Sequence, residues 1–225
     1  MANISEIKEI AKLLNLSNLA KGKIDLNADY KNKLDYLEYV LREELSYRKK
    51  TRIKNNKELS NLPNSKFNKS YIVDGVKWQI KEIEKLKFIE EDRNIIITGN
   101  CGTGKTALSA EIGNVALDKG YKVVYRHFDD YLFIVNQKLK DNKQNAEYNK
   151  LKNADVIIID DFLYLNIKDS DLEIIYKSLI FFNESRSLIF ITNRKPDEII
   201  EAANDKHIMN TLIERLKGNS HIIAL

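Results

Sequence analysis

The sequence predicts an α/β fold in which helices flank a parallel, doubly wound sheet. Three observations support this prediction. An apolar run at residues 94–98 leads directly into a glycine-rich loop and then into an amphipathic helix. A second apolar run, residues 154–159, ends in Asp160 and Asp161, and continuous runs of this kind are typical of strands buried on both faces. Strand-like and helical stretches alternate through residues 76–225, as expected for a parallel sheet.

Composition narrows the class of protein. Hydrophobic residues make up 43% of the 225 residues, enough for one large core and a small second one. The net charge of +4 is too small to indicate a nucleic-acid partner by itself. The single cysteine excludes an intramolecular disulfide, and the sequence has neither a signal-peptide pattern nor an apolar run long enough to cross a membrane. We therefore expect a cytoplasmic protein without membrane contact.

The chain divides into three predicted regions. Residues 1–60 form a small N-terminal helical domain, residues 61–75 a linker that contains Pro63 and Gly75, and residues 76–225 the α/β core. In the first region, a short helix is predicted to bury one side, formed by Ile4, Ile7, Ala11 and Leu14. A longer helix, from about residue 29 to the mid-fifties, is predicted to pack through a face formed by Tyr30, Leu34, Leu37, Leu41 and Leu45.

The end of the longer helix is strongly basic. Residues 41–60 hold seven Lys and Arg against three Glu, so 7 − 3 = +4, the net charge of the whole chain. Two interpretations are open. The stretch is a solvated helix face, or it binds the phosphate backbone of DNA. The candidate DNA contacts are Arg48, Lys49, Lys50 and Arg52.

The glycine-rich loop matches the phosphate-binding pattern GxxxxGK[ST], the Walker A motif. Its glycines permit backbone conformations closed to other residues, so that consecutive N–H groups point at a phosphate, and the following helix adds its positive end. Lys105 is expected to reach the β- and γ-phosphates, and Thr106 to bind Mg²⁺. The predicted nucleotide-binding residues are Gly99, Asn100, Cys101, Gly102, Thr103, Gly104, Lys105, Thr106 and Ala107.

The two carboxylates after the second apolar run have the position of a Walker B motif. Asp160 is expected to contribute to the Mg²⁺ site, and Asp161 to polarise the attacking water. An acidic turn without chemical function is the alternative. Because the carboxyl ends of parallel strands meet at one edge of a sheet, the ends of residues 94–98, 154–159 and 187–191 should form the binding edge.

Three smaller features of the core complete the prediction. Residues 76–90 are predicted to form one helix and residues 121–125 a strand. Trp78 and Phe88 have two open roles, contact with the nucleotide base or packing in the core. The polar segment 140–152 is either the continuation of a helix or a loop.

Four segments together resemble AAA+ ATPases of the initiator and loader group: GNCGTGKT at residues 99–106, VIIIDD at 156–161, FITN at 190–193 and ERL at 214–216. The resemblance is closer to the IstB-like ATP-binding family, the helper ATPases of insertion-sequence transposases, which are related to DnaC-type helicase loaders. Shorter matches are the segments 87–90, 119–121 and 186–187, and Asn94. The resemblance covers most of the chain.

This resemblance implies ATP and Mg²⁺ as ligands, assembly into a homo-oligomer with ATP, and DNA as a partner. By position, Asn193 resembles sensor 1, which orients the water near the γ-phosphate. Arg215 resembles the arginine finger that acts on ATP of a neighbouring subunit, although an ion pair with Glu214 or Asp205 is a plainer alternative. Asp161 stands where the family usually has Glu, so we expect slow hydrolysis. We expect no C-terminal helical lid.

The resemblance leaves two protein partners open, a transposase and a replicative helicase. A small-molecule kinase built on the same loop is a third alternative. The basic helix, the paired aspartates and the sensor-like Asn193 favour the AAA+ interpretations over a kinase. A GTPase is not expected, because residues 193–197 lack the spacing of the guanine-recognition motif.

Overall fold

The computed structural model describes residues 4–26, 28–30, 32–68, 74–140, 146–164 and 169–225. The chain forms two compact units, Met1–Asn55 and Asn56–Leu225. The helices are α1 (Ile4–Leu13), α2 (Ser17–Ala20), α3 (Lys33–Ser60), α4 (Asp74–Ile83), α5 (Lys87–Glu90), α6 (Lys105–Lys119), α7 (Phe128–Lys140), α8 (Ala146–Lys152), α9 (Asp169–Asn183), α10 (Pro196–Glu201) and α11 (Lys206–Gly218). The strands are β1 (Asn94–Thr98), β2 (Val123–His127), β3 (Val156–Asp160), β4 (Ser187–Thr192) and β5 (Ser220–Ala224). No described helix is long and apolar enough to cross a bilayer.

The N-terminal unit is built on a small core between α1, α2 and α3. Its buried apolar residues are Ala11, Leu19, Ile24 and Val40. The carboxylate of Glu44 on α3 is also buried, and it accepts hydrogen bonds from the backbone N–H groups of Asn18 at 2.8 Å and Leu19 at 3.2 Å. A carboxylate at the first turn of α2 satisfies donors that the helix leaves unpaired.

The predicted packing faces of this unit are wrong in part. Ala11 is buried as expected, whereas Ile4 and Leu14 are exposed. On α3 the side that faces α1 and α2 carries Val40 and Glu44, and the expected packing residues Tyr30, Leu34, Leu37, Leu41 and Leu45 are all exposed. Helical spacing identifies residues that share a face, but it does not tell which face meets the rest of the chain.

The second unit contains a five-stranded sheet in the order β2-β3-β4-β1-β5, and every neighbouring pair is parallel. This confirms the predicted doubly wound sheet. One face packs on α4, α5 and α6 through residues that include Ile80, Leu108 and Ile112. The other face packs on α7, α9 and α11 through residues that include Tyr131, Phe182 and Leu212. β4 lies between β1 and β3, so the ends of these three strands adjoin one another.

Two predicted elements of this unit have different bounds. The strand predicted at 121–125 runs from Val123 to His127. The reason is the end of α6: Gly120, which follows its last residue, has φ +97°, and the N–H of Tyr121 donates back to the carbonyl of Ala116 at 3.1 Å. The helix predicted at 76–90 is two helices, α4 and α5, separated where Leu86 has φ +63°. A residue with positive φ interrupts the regular backbone, so the next strand or helix begins after it.

The structure describes most of two predicted segments and both aromatic residues that the sequence left open. Residues 61–68 of the predicted linker form neither helix nor strand, and residues 69–73 lie outside the described residues. In the polar segment 140–152, α8 begins at Ala146, and residues 141–145 lie outside the described part of the chain. Phe88 is buried in the core, whereas the Trp78 side chain is 65% exposed.

Candidate nucleotide-binding site

The loop between β1 and α6 has the backbone that a phosphate cradle needs. Gly99, Gly102 and Gly104 have φ values of +150°, +81° and +92°, which L side chains rarely adopt. A Cβ atom at Gly99 would collide with the carbonyl oxygen of Leu225, and a Cβ at Gly104 would lie 3.3 Å from the Phe67 ring. Conformation therefore favours glycine at both positions, and at Gly99 the close backbone carbonyl also leaves no space for a side chain.

Lys105 begins α6 and its side chain folds over the loop. It is buried, and its Nζ donates to the carbonyl oxygens of Gly99 at 2.8 Å and Asn100 at 2.7 Å. These bonds hold an ammonium group at the mouth of the loop, beside the N–H groups of the first helical turn. An anionic phosphate oxygen is a stronger acceptor for the same ammonium than a neutral carbonyl. The Lys105 ammonium can therefore exchange these two carbonyl oxygens for oxygens of a bound phosphate.

Thr106 and Asp160 meet at the end of β3. Thr106 Oγ1 donates to Asp160 Oδ2 at 2.8 Å, although the residues are 54 positions apart in sequence. The other carboxylate oxygen, Oδ1, accepts from the N–H of Asp161 at 2.8 Å. Mg²⁺ prefers oxygen ligands at 2.0–2.1 Å in an octahedron, which places adjacent ligand oxygens about 2.9 Å apart. The donor set and its spacing therefore fit Mg²⁺.

A tyrosine that sequence analysis did not single out completes this cluster. Tyr125 on β2 is buried, and its hydroxyl donates to Asp160 Oδ2 at 2.6 Å. Burial, followed by the hydrogen bond to Asp160, raises the pKa of Tyr125 above its usual value. The hydroxyl therefore stays protonated and acts as a donor. A tyrosine inside the otherwise apolar run 123–125 was a usable signal, because a buried phenol needs a hydrogen-bond partner.

Asp161 directly follows β3 and points away from this cluster into solvent. Its backbone is left-handed with φ +53°, and its side chain is 65% exposed. Asp161 Oδ2 lies 3.5 Å from Nδ1 of His127, the last residue of β2. A non-glycine residue in this conformation is uncommon, although aspartate tolerates it better than most residues. The turn presents the carboxylate at the carboxyl edge of the sheet.

The two residues assigned by resemblance lie in different places. Asn193 is exposed directly after β4, the strand between β1 and β3. Arg215 is exposed on α11, and its Cζ lies 5.8 Å from the centre of the Tyr176 ring on α9. The suggested ion pair with Glu214 or Asp205 is not found among the described residues. Asp205 instead caps α11 by accepting from Ile208 N–H at 3.0 Å.

A cavity of about 510 Å³ adjoins the glycine loop. Its apolar wall includes Phe67, Val76 and Leu225, and its other side is formed by Gly102 to Gly104 and Ala107. The cavity is large enough for a nucleotide base and sugar. Trp78 and Phe88, the aromatic residues considered for base contact, lie in a different cleft beside β5. Sequence analysis missed Phe67 because it lies in a segment without periodicity.

The basic end of α3 is only partly free. Arg48 is tied within the N-terminal unit, because its guanidinium donates to the carbonyl of Asn15 at 2.7 Å and to Glu44 Oε1 at 3.3 Å. Lys49, Lys50 and Arg52 are exposed. Two further lysines adjoin this stretch, since the Nζ atoms of Lys21 and Lys23 each lie 5.3 Å from the centre of the Tyr47 ring. The hydrogen bond from Lys21 to the phenol oxygen lowers the pKa of Tyr47.

Comparison with known proteins places the chain in a family. The sequence profile of the family described as IstB-like ATP binding protein matches residues 9–225. The chain belongs to this family. An IstB-like relative from Bacteroides fragilis, named as an ATP-binding protein of an IS21-like insertion sequence, is 25% identical over 98% of this chain and 87% of the relative. A relative from Pseudomonas aeruginosa, named in the same way for insertion sequence IS21, is 26% identical over 63% of this chain. That match spans 53% of the Pseudomonas protein, about half its length.

Solved structures share the fold of this IstB-like chain. The AMPPCP-bound DnaA of Aquifex aeolicus has a TM-score of 0.57 at 24% identity and covers 74% of this chain and 51% of its own. The DnaC helicase loader has a TM-score of 0.60 at 15% identity and covers 76% of this chain and 99% of its own. At these identities the likeness establishes the AAA+ P-loop fold and nothing about partners.

Proposed function

We propose that this IstB-like protein is an ATP-dependent, DNA-binding helper ATPase of an insertion-sequence transposase. One observation carries the ATPase part of the proposal: Thr106 Oγ1 and Asp160 Oδ2 lie 2.8 Å apart beside the loop of positive-φ glycines. This geometry supports a site in which these two oxygens hold Mg²⁺ next to a phosphate cradle. Family membership and the names of the curated relatives support the transposition part.

Nucleotide binding follows from the geometry of the loop. The N–H groups of residues 99–106 bind the phosphates, and Lys105 exchanges its carbonyl partners for the β- and γ-phosphate oxygens. Thr106 and Asp160 would hold Mg²⁺, and a bound Mg²⁺ would supply positive charge to the phosphate oxygens. Phe67 stacks on the base in the cavity beside the loop. The nucleotide we propose is ATP, in keeping with the family.

Hydrolysis is assigned to the exposed polar residues at the strand ends. Asp161 polarises the attacking water, and Asn193 orients that water near the γ-phosphate. Aspartate is one methylene shorter than the glutamate usual at this position, so its carboxylate reaches the water less well. We therefore propose slow turnover that rises when the protein assembles or binds DNA.

Assembly is the step that ATP controls. Arg215 lies on α11 and is exposed, so we propose that it contacts ATP held by a neighbouring subunit rather than its own. ATP then orders the interface between subunits in a homo-oligomer, and hydrolysis releases it. In this scheme residues 1–60 form the DNA- or partner-binding domain, residues 61–75 the linker, and residues 76–225 the ATPase core.

DNA contact is proposed for the exposed cations of the N-terminal unit. Lys49, Lys50 and Arg52 follow one another on α3, and Lys21 and Lys23 add positive charge around Tyr47. Arg48 has a second role in fastening α3 to the turn after α1. Contacts of this type neutralise phosphates without reading base sequence.

A helicase loader of the DnaC type is the second candidate. Its support is the resemblance of residues 99–106, 156–161, 190–193 and 214–216 to the motifs of the initiator and loader group. Affinity capture separates the two candidates, with the Thr106→Val variant as a control that keeps shape but removes the Mg²⁺ ligand. ATP-dependent recovery of a transposase by wild-type protein and not by Thr106→Val supports the proposal. Recovery of a replicative helicase instead supports the loader.

A further inference from the structure

The helix α3 has an apolar face that is open to solvent. Four leucines lie on it at intervals of three, four and four residues, and their side chains are 52 to 76% exposed: Leu34, Leu37, Leu41 and Leu45. We call these four residues the leucine face. A neighbouring side of the helix packs on the core of the N-terminal unit through Val40. Since monomeric proteins seldom leave such a continuous apolar patch in water, the leucine face is a surface for association.

We infer that the leucine face binds the leucine face of a second copy of the chain, with the two α3 helices antiparallel. This association uses neither nucleotide nor DNA, and it goes beyond the ATP-dependent assembly proposed above. It gives the N-terminal unit a dimer contact of its own.

The spacing of the leucines is self-complementary about a two-fold axis. A centre between residues 39 and 40 sets Leu34 opposite Leu45 of the second copy. The same centre lies within one residue of setting Leu37 opposite Leu41, and one residue corresponds to about 1.5 Å along a helix. The whole face is therefore matched by a single axis, as an isologous interface requires.

The charges beside the leucine face fit the same axis to within one residue. Glu38 and Arg42 flank one edge of the face and are exposed, and within the chain Arg42 Nε donates to Glu38 Oε1 at 2.7 Å. An axis perpendicular to both helices keeps this edge on the same side in each copy. It brings Glu38 within one residue of the position opposite Arg42 of the second copy, and the reverse, so that two reciprocal ion pairs can form. A parallel pair would place this edge against the opposite edge of the other helix, where the match is lost.

The contact should be weak by itself. One helical face is smaller than the roughly 800 Å² that each partner buries in a standard interface. We therefore expect a reversible dimer with a dissociation constant in the micromolar range, about 10⁻⁶ to 10⁻⁴ M.

Sedimentation of the full chain without nucleotide tests the contact. The Leu37→Gln/Leu41→Gln variant removes four leucines from the proposed dimer and should raise its dissociation constant at least about a hundredfold. The matched control is Leu13→Gln/Leu14→Gln, which changes two exposed leucines of the same unit outside α3. The control should dimerise like the wild type, and circular dichroism should show the same helix content in all three proteins.

Cross-linking tests the orientation. Cys101 is replaced by Ser in every protein, because it is the one cysteine of the sequence. A short bismaleimide should join a Leu34→Cys chain to a Leu45→Cys chain when the two are mixed. Neither variant should cross-link to itself, since equivalent positions then lie about 16 Å apart along an antiparallel pair. Self-cross-linking of each variant, without the mixed product, overturns the antiparallel arrangement.

Charge exchange gives a gain-of-function test. Glu38→Arg should weaken the dimer by setting Arg against Arg42, and Glu38→Arg/Arg42→Glu should restore it. A wild-type protein that stays monomeric at about 10⁻⁴ M overturns the inference, as does an unchanged dimer in the Leu37→Gln/Leu41→Gln variant. If the wild type is itself monomeric and the Leu37→Gln/Leu41→Gln variant melts at a lower temperature, the leucine face packs within its own chain, which also overturns the inference.

Discussion

The hydroxyl of Tyr125 lies 2.6 Å from Asp160 Oδ2, the oxygen that also accepts from Thr106. This buried donor restrains the rotation of the carboxylate, and we expect Asp160 to present the same oxygen to the proposed Mg²⁺ site with and without nucleotide. Tyr125 contacts Asp160, the proposed metal ligand, and we expect it to act on the site through that carboxylate. It is therefore a positioning residue.

The Tyr125→Phe variant should need more Mg²⁺ for ATP hydrolysis. Phe keeps the ring in the core and removes one hydrogen bond, worth about 1 kcal/mol, so the Mg²⁺ concentration for half-maximal activity should rise about fivefold. The turnover number at saturating Mg²⁺ should change less than twofold. Tyr131→Phe is the matched control, because it removes a buried phenol that bonds to Ser178 at 2.9 Å outside the site. An equal Mg²⁺ shift in both variants would assign Tyr125 a structural role only.

The parts of the site that depend on local sequence were predictable, and the parts that depend on contacts between distant segments were not. The glycines of residues 99–106 predict a loop with positive φ values, and the apolar run before Asp160 predicts a buried strand. Tyr125 joins Asp160 only because β2 and β3 pair in parallel, with His127 opposite Asp160. Phe67 reaches Gly104 from a segment without periodicity, so no local pattern indicates it.

The leucine face shows a second limit of periodicity. Helical spacing correctly predicted that these four leucines share one side of α3. It wrongly predicted that this side packs on the rest of the chain, because all four side chains are exposed. The side that packs within the unit carries Glu44, a charge whose burial depends on N–H donors from α2. A polar residue with partners from another segment looks, in the sequence, like any solvent-facing glutamate.

The Asp161→Asn variant should bind ATP and fail to turn it over. Asn tolerates the left-handed backbone at this position, so the turn is kept while the carboxylate charge is lost. Loss of a general base typically lowers the rate about 10² to 10⁴-fold, and ATP affinity should stay within about twofold. Single-turnover hydrolysis and equilibrium ATP binding measure the two quantities separately.

Asp92→Asn provides the control for this variant. Asp92 is also an exposed aspartate with a left-handed backbone, φ +50°, but it precedes β1 at the opposite edge of the sheet. Its substitution should leave turnover unchanged. Wild-type turnover in Asp161→Asn would show that Asp161 does not act on the water.

The Lys49→Ala/Lys50→Ala/Arg52→Ala variant should bind DNA with a weaker salt dependence. Each lost phosphate contact reduces the slope of log affinity against log salt by about 0.9. Arg48 is left in place because its guanidinium bonds to Asn15 and Glu44, so its loss would also destabilise the N-terminal unit. The control removes the same charge from exposed lysines of the other unit, Lys81, Lys87 and Lys119. Equal slopes in the variant and the wild type would leave the stretch as a solvated helix face.

The Arg215→Ala variant should bind ATP normally and fail to hydrolyse it. Arg215 is exposed on α11 and rests on Tyr176, whereas Asp161 and Asn193 lie at strand ends beside the glycine loop. We therefore propose that its guanidinium contacts the γ-phosphate of ATP bound to a second subunit. An arginine finger contributes on the order of 10³-fold or more to the rate, so the loss should be readily measured.

A mixture with Lys105→Ala is the decisive experiment, because one interface of a mixed assembly pairs an intact loop with an intact Arg215. Partial recovery of ATPase activity in the mixture supports action between subunits. Wild-type hydrolysis by Arg215→Ala alone excludes the finger, and recovery that is absent at every mixing ratio argues against action in trans.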